Sequence, residues 1–240
     1  MPPSLQIVRV PILPFGMINC HLIIAPHGCI LVDTGLPGTE ARIGKVLARH
    51  GLAFGAIKLI VITHAHVDHA GNAARLRALS GAPILAHAAD LRHYTQEDAM
   101  TFCATGWFCR LFLKTGLILQ PYAPFVPDIL LTGDEQRGLA PFGIDGVVLP
   151  TPGHTAGSIS IRLASKAAMV GDLIASGIFL GGLVRTGHAK RPPFEDDPAA
   201  TAAALQQLLD AGAEHFYMGH GGPLPAAEVL SHARKLRALT

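Results

Sequence analysis

The sequence predicts an α/β fold. Three observations carry that reading. Short apolar, β-branched runs recur along the chain; helix-like stretches fall between them in the first half; and several runs end on Asp or in a turn containing Gly or His. Strands alternating with helices build sheets covered by helices. At 240 residues, half of them hydrophobic, one large domain spanning 1–240 is expected.

The elements follow in order. Residues 7–10, 21–25 and 29–33 read as strands, with Pro26-His27-Gly28 turning the chain between the last two. Residues 39–50 form an amphipathic pattern closed by Gly51, so a helix is expected. A strand at 58–62, a helix from Ala70 to Leu79 and a strand at 83–86 come next. Residues 87–127 are less regular. Arg110 and Lys114, four apart, fit one polar helix face among Phe102, Trp107, Phe108, Leu111 and Phe112, and Pro121, Pro124 and Pro127 break the pattern. This segment reads as a helical insertion covering a pocket, with Trp107 either in its wall or in the core. Strands are expected at 128–131, 146–149, 158–163, 166–170 and 215–218. Asp197-Pro198 opens a helix to Asp210, and a last helix covers 226–239.

Composition narrows the function. Nineteen basic residues against seventeen acidic ones leave a net charge of +2, which is no footprint for nucleic acid. Cys20, Cys29, Cys103 and Cys109 form no CxxC pair, as expected for reduced, buried thiols in an intracellular protein. The start of the chain, from Met1, lacks a basic region followed by an apolar core, and the apolar run 173–184 is too short to span a bilayer. A cytoplasmic protein with no membrane partner is expected, and its apolar composition suits a homo-oligomer interface.

The chemistry is concentrated at Thr63-His64-Ala65-His66-Val67-Asp68-His69, directly after the run Leu59–Ile62. Residues two apart in an extended segment point the same way, so His64 and His66 share a focus. Asp68 suits the N-cap of the following helix, which puts His69 in its first turn. Imidazoles with carboxylates are a ligand set for zinc and related first-row ions. Downstream, His154, Asp172 and His220 each stand at a strand end or in a glycine-rich turn.

Together with Leu31-Val32-Asp33-Thr34-Gly35, Thr151–Ser158, Gly171-Asp172 and Gly219–Gly222, these pieces resemble the metallo-β-lactamase superfamily, in its dinuclear hydrolase branch with a bridging aspartate, the branch of glyoxalase II and the lactonases. The resemblance implies an αββα sandwich with metals at one edge. It implies that His64, His66 and His154 hold one metal, that Asp68, His69 and His220 hold the second, and that Asp172 bridges them. The cofactor would be two Zn²⁺, with manganese or iron as alternatives. Asp33 would lie beside the metals and orient a ligand without binding one.

The implied activity is hydrolysis of an ester, thioester or lactone carbonyl by a metal-bridging hydroxide. The substrate would be a small molecule with an apolar part, and Asp68 would relay a proton. A phosphodiesterase, with Arg185, His188, Lys190 and Arg191 meeting an anion, and a mononuclear iron sulfur dioxygenase using His64, His154 and Asp172 are the alternatives. Asp172 stands where the β-lactamases of this fold carry Cys or Ser, against β-lactam hydrolysis. His66 is not Glu, against the flavodiiron branch. The chain ends about twenty residues after His220, too soon for the glutathione-binding helical domain of glyoxalase II. Ala175 replaces the tyrosine common in acyl-homoserine lactonases.

Overall fold

The structure, a computed structural model, describes residues 5–178 and 181–239. Positions 1–4, on which the reading of the chain's start rests, and 179–180 within the apolar run lie outside the described residues, as does 240.

Six strands form the first sheet in sequence order: β1 (Gln6–Pro11), β2 (Asn19–Ala25), β3 (Gly28–Val32), β4 (Ile57–Val61), β5 (Ile84–His87) and β6 (Ile129–Leu131). β1, β2 and β3 pair antiparallel; from β3 to β6 the pairing is parallel. Parallel strands need crossovers, and helices supply two of them: α1 (Glu40–Arg49) between β3 and β4, then α2 (Val67–Ala70) and α3 (Ala73–Ser80) between β4 and β5. α4 (Leu91–Tyr94) and α5 (Trp107–Leu113) lie in the long connection to β6.

The second sheet adds β7 (Arg137–Gly138), β8 (Gly146–Pro150), β9 (Ile159–Leu163), β10 (Ala167–Met169), β13 (His215–Tyr217) and β14 (Leu224–Pro225), in spatial order β14-β13-β10-β9-β8-β7. A small ribbon pairs β11 (Ala175–Ser176) with β12 (Ala189–Lys190). α6 (Pro198–Asp210) and α7 (Ala226–Arg237) complete the chain.

Side-chain alternation along the strands assigns the layers. Ile30 and Val32 of β3 join Val148, Ile161, Ala167 and Met169 of the second sheet in one buried cluster, so these faces meet. Leu31 points the other way, packing with Ile43 and Leu47 of α1 and Leu76 of α3. On the second sheet, Leu149 and Ala168 face Leu205 and Leu208 of α6 and Val229 and Leu236 of α7. The order is helix, sheet, sheet, helix. Near-continuous apolar runs follow from this, because a strand buried on both faces has no side for polar residues.

Local chemistry sets the helix ends. Asp197 Oδ1 accepts from the backbone N–H of Ala199 and Ala200, each at 2.9 Å, and Pro198 takes the first helical position. Gly81 ends α3 in a left-handed conformation, φ 71°. The helix expected from Ala70 to Leu79 is broken in two at Gly71-Asn72, and its start is one residue before Asp68. His66 is therefore the N-cap of α2, and Asp68 sits in the first turn with its carboxylate turned to the histidines. The segment 87–127, expected as a helical cover, carries two short helices and 3₁₀ turns. Of the four thiols, Cys20 and Cys29 are buried, whereas Cys103 is exposed and Cys109 half-buried; all four are free. The expectation of buried thiols fails for the last two because they lie on the outer strap at 99–127, away from either sheet.

Candidate metal centre

Strand ends from both sheets meet at one edge. Asp33 follows β3, the cluster 63–69 follows β4, His154 lies between β8 and β9, Asp172 follows β10 and His220 follows β13. The structure brings all seven residues expected as ligands together, each of them buried.

They fall into two groups. His154 Nε2 lies 3.1 Å from His64 Nε2 and 3.0 Å from His66 Nδ1. In the other group, His220 Nε2 lies 3.3 Å and His69 Nε2 3.8 Å from Asp68 Oδ2. Asp172 reaches both: its Oδ2 is 2.9 Å from His220 Nε2 and 3.9 Å from His154 Nε2, and its Oδ1 is 3.4 Å from His69 Nε2.

The donor set fits divalent cations. His154 Nε2 lies about 3 Å from both His64 Nε2 and His66 Nδ1, a spacing at which facing lone pairs repel unless a proton or a cation lies between them. With zinc–nitrogen bonds of about 2.0–2.1 Å, a tetrahedral edge measures about 3.4 Å, close to the spacings seen. His69 Nε2 and Asp172 Oδ1 are buried with no hydrogen-bond partner, a cost that a shared cation would remove.

The supporting contacts explain why the ligands hold these positions. Asp33, in a left-handed conformation with φ 61°, accepts from Thr63 N at 2.8 Å, Thr63 Oγ1 at 2.9 Å and His69 Nδ1 at 2.8 Å. With its own hydrogen donated to Asp33, Thr63 Oγ1 accepts from His64 Nδ1 at 3.0 Å. One carboxylate thus orients a histidine of each group and turns each Nε2 inward. His220 Nδ1 donates to the Met17 carbonyl, and Phe102 stacks on His66 with ring centroids 4.8 Å apart. Gly219 is required by proximity: a Cβ there would collide with His69 Cε1 and Asp172 Oδ1.

Asp90 is a supporting residue that sequence reasoning missed. Its Oδ2 accepts from Ala65 N at 3.0 Å and Thr155 Oγ1 at 2.9 Å, and its Oδ1 accepts from Gly157 N at 2.8 Å. It ties the loop carrying His64 and His66 to the loop carrying His154. A side chain at Gly157 would strike it. Asn19 does the same for the last loop, its Nδ2 donating to the carbonyls of Gly219 and Gly221. The available signal was position, since Asp90 follows closely on a strand that ends at the same sheet edge.

Electrostatics separate the two groups. Burial, reinforced by neighbouring histidines, holds His64 and His66 well below the usual histidine range and His154 at about 4. Burial also opposes charge on His69 and His220, but carboxylates override it. Asp172 with Asp33 and Asp68 raises His69 well above its ordinary value, and Asp172 with Asp68 raises His220 to about 10. Burial likewise pushes Asp68 up, and the charges of His69 and His220 bring it down to about 2. The same two histidines hold Asp172 well below the usual carboxylate range against its burial.

A cavity of about 220 Å³ opens onto this centre. His66, Asp68, His154, Asp172 and His220 line one end; Leu13, Ile18, Leu36, Val67, Phe112, Leu117, Ile118, Pro193 and Phe194, with Gln120 as the one polar side chain, line the rest. Phe112, Leu117, Ile118 and Gln120 of this lining come from the 87–127 segment. Trp107 is neither wall nor core: it is 76% exposed. The basic stretch after Val184 stands outside the cavity. Arg191 pairs with Glu195 at 2.6 Å and His188 with Glu228 at 3.5 Å.

This geometry suits a metal-binding centre at the edge of a four-layer sandwich. The chain belongs to the metallo-beta-lactamase superfamily, whose family model matches residues 13–220. It is 26% identical over 225 residues to a probable metallo-hydrolase of Bacillus subtilis, YflN, covering 88% of this chain and 82% of that protein. It is 30% identical over 185 residues to a hydroxyacylglutathione hydrolase of Cupriavidus metallidurans, covering 76% of this chain and 54% of that one, so it spans about half the length of that relative. Among solved structures, a metallo-beta-lactamase family protein of Thermus thermophilus superposes with a TM-score of 0.65 at 25% identity, over 99% of this chain and 79% of that chain. Among the described residues, no helix is long and apolar enough to cross a membrane.

Proposed function

We propose that this metal-dependent hydrolase cleaves an ester, thioester or lactone whose acyl part is apolar, and that it does so with two divalent metals, zinc in the first instance. The observation that carries the reading is the cavity: one end is the His/Asp centre, and the remainder is almost entirely apolar. His64, His66 and His154 would hold one metal, Asp68, His69 and His220 the other, with Asp172 between them. Such a pair supplies Lewis-acid polarisation of a carbonyl oxygen and a water of lowered pKa.

The chain's own groups do the rest. Asp68 lines the cavity and is ionised at neutral pH, so its carboxylate is open to take up the proton of an attacking water and pass it to the leaving group. Leu36, Phe112, Ile118 and Phe194 exclude water and hold the acyl chain, each buried CH₂ contributing about 0.8 kcal/mol. No Lys or Arg stands among the described residues lining the cavity, which favours a neutral carbonyl substrate over a phosphodiester. The hydroxyacylglutathione hydrolase resemblance supports the thioester as one member of the substrate class.

The test is kcat/KM across esters and thioesters of increasing acyl length. Wild type should gain with each CH₂ until the cavity is full. Phe112→Ala should flatten that slope, and Trp107→Ala should leave it unchanged. A wild-type rate independent of acyl length, or faster turnover of phosphodiesters, would overturn the assignment.

A further inference from the structure

The strap that walls the cavity has a second, outward face. Trp107, Arg110, Leu111 and Lys114 are spaced i, i+3, i+4 and i+7 on α5 and its C-cap, so they share one helix side. Trp107 is 76% and Leu111 57% exposed; past the next turn Leu119 is 53% exposed. Arg110 and Lys114 are exposed and make no ion pair among the described residues. From Met100 to Pro127 the sequence has no Asp or Glu; Asp196 meets the strap at Cys103, before the helix begins. Leu117 belongs to both faces, lining the cavity while remaining largely exposed. Apolar exterior and apolar cavity are therefore continuous across one strap.

We propose that this face docks on an anionic lipid surface. Trp and Leu flanked by Arg and Lys are the composition of an interfacial helix: the apolar side chains enter the headgroup–acyl boundary and the cations meet lipid phosphates. A second copy of the chain is a poorer occupant. A two-fold pairing would set Arg110 and Lys114 against their own counterparts with no acidic group on the face to receive them. The sequence expectation of no membrane partner rested on the lack of a spanning segment, and peripheral docking needs none. Docking places the mouth of an acyl-lined cavity beside a store of amphiphiles.

Trp107 is the sole tryptophan and reports directly. Full-length protein is mixed with vesicles of phosphatidylcholine containing phosphatidylglycerol, or of phosphatidylcholine alone, and its emission and sedimentation with the vesicles are followed. Binding to the anionic vesicles with a blue shift is expected. The pair Arg110→Gln with Lys114→Gln should weaken that binding about thirtyfold, since each basic residue near such a surface contributes about 1 kcal/mol. Leu111→Ser with Leu119→Ser should abolish the blue shift. Neither pair touches the cavity, so turnover of a short soluble ester should persist in both, which also shows that they fold. Unshifted emission without sedimentation overturns the proposal. So does a blue shift that grows with protein concentration in the absence of lipid while light scattering reports a dimer.

Discussion

The two groups of candidate ligands differ more in charge than in distance. His64, His66 and His154 are three neutral imidazoles held together by packing and by contacts to Thr63, Phe102 and the Asp90-anchored loops. Asp68, His69 and His220, with Asp172, form a mixed cluster in which buried carboxylates keep two imidazoles protonated. The first group would meet a cation with its lone pairs free. The second would have to give up protons, and a metal there would take over a positive charge that the protein already compensates. Similar geometry thus sets a group of open donors beside one of exchangeable charge.

Asp172 is where the two groups join, so Asp172→Ala should do the most damage. Its loss removes one negative charge and, among the described residues, the only carboxylate within 4 Å of both His154 and His220. Bound metal should fall from two equivalents to one or fewer. Hydrolysis should fall by more than about a hundredfold, the upper range for losing a mere supporting contact. Elemental analysis with steady-state kinetics checks this, and an unchanged far-UV circular dichroism spectrum would place the loss in the site. Two equivalents and full turnover would show that Asp172 joins nothing.

Asp33→Asn sharpens the contrast. Asp33 contacts His69 directly but reaches His64 only through Thr63. Metal affinity should drop about 10–100-fold at the mixed group and less at the three-imidazole group, read by chelator competition. Equal loss at both would mean that the groups are a single unit.

Asp90→Ala acts on the other side. It strips partners from Ala65 N, Gly157 N and Thr155 Oγ1, all buried. Stability should fall by about 3 kcal/mol, a decrease in Tm of about 6–12 °C for a chain of this size. Asp90→Asn should cost less, since it keeps one acceptor oxygen. Activity per bound metal should change little in Asp90→Asn.

The same contrast shows what a sequence discloses. The strands were legible because they are buried on both faces, and Ile30–Val32 or Leu59–Ile62 can be nothing but apolar. The candidate ligands were legible because four of them lie in one seven-residue stretch and the others close strands. Asp90 was not, because its three partners are brought to it by the meeting of two sheets, and a single Asp early in a helical stretch has many local explanations. Trp107 was misplaced for a related reason. Aromatic content marks a segment as apolar without saying which face meets the cavity, and here Phe112 turns in while Trp107 turns out. Asp68 resembled an N-cap, but the helix begins at Val67, which releases its carboxylate to the site.

Counting protons during metal uptake tests the central claim most directly. Chelator-stripped protein is titrated with Zn²⁺ at pH 7 in two buffers of different ionisation enthalpy, and heat, stoichiometry and released protons are measured together. At this pH His154, at about 4, and His64 and His66, held well below the usual histidine range, are neutral, whereas His220, at about 10, and the raised His69 carry a second proton. The account predicts two equivalents. One should bind with almost no proton release and an affinity that is flat as pH falls from 7 toward 5. The other should release up to two protons and weaken up to about tenfold per proton for each unit of pH lost. Two equivalents with identical proton release, or a firm single equivalent of iron with oxygen consumption on persulfides, would contradict it.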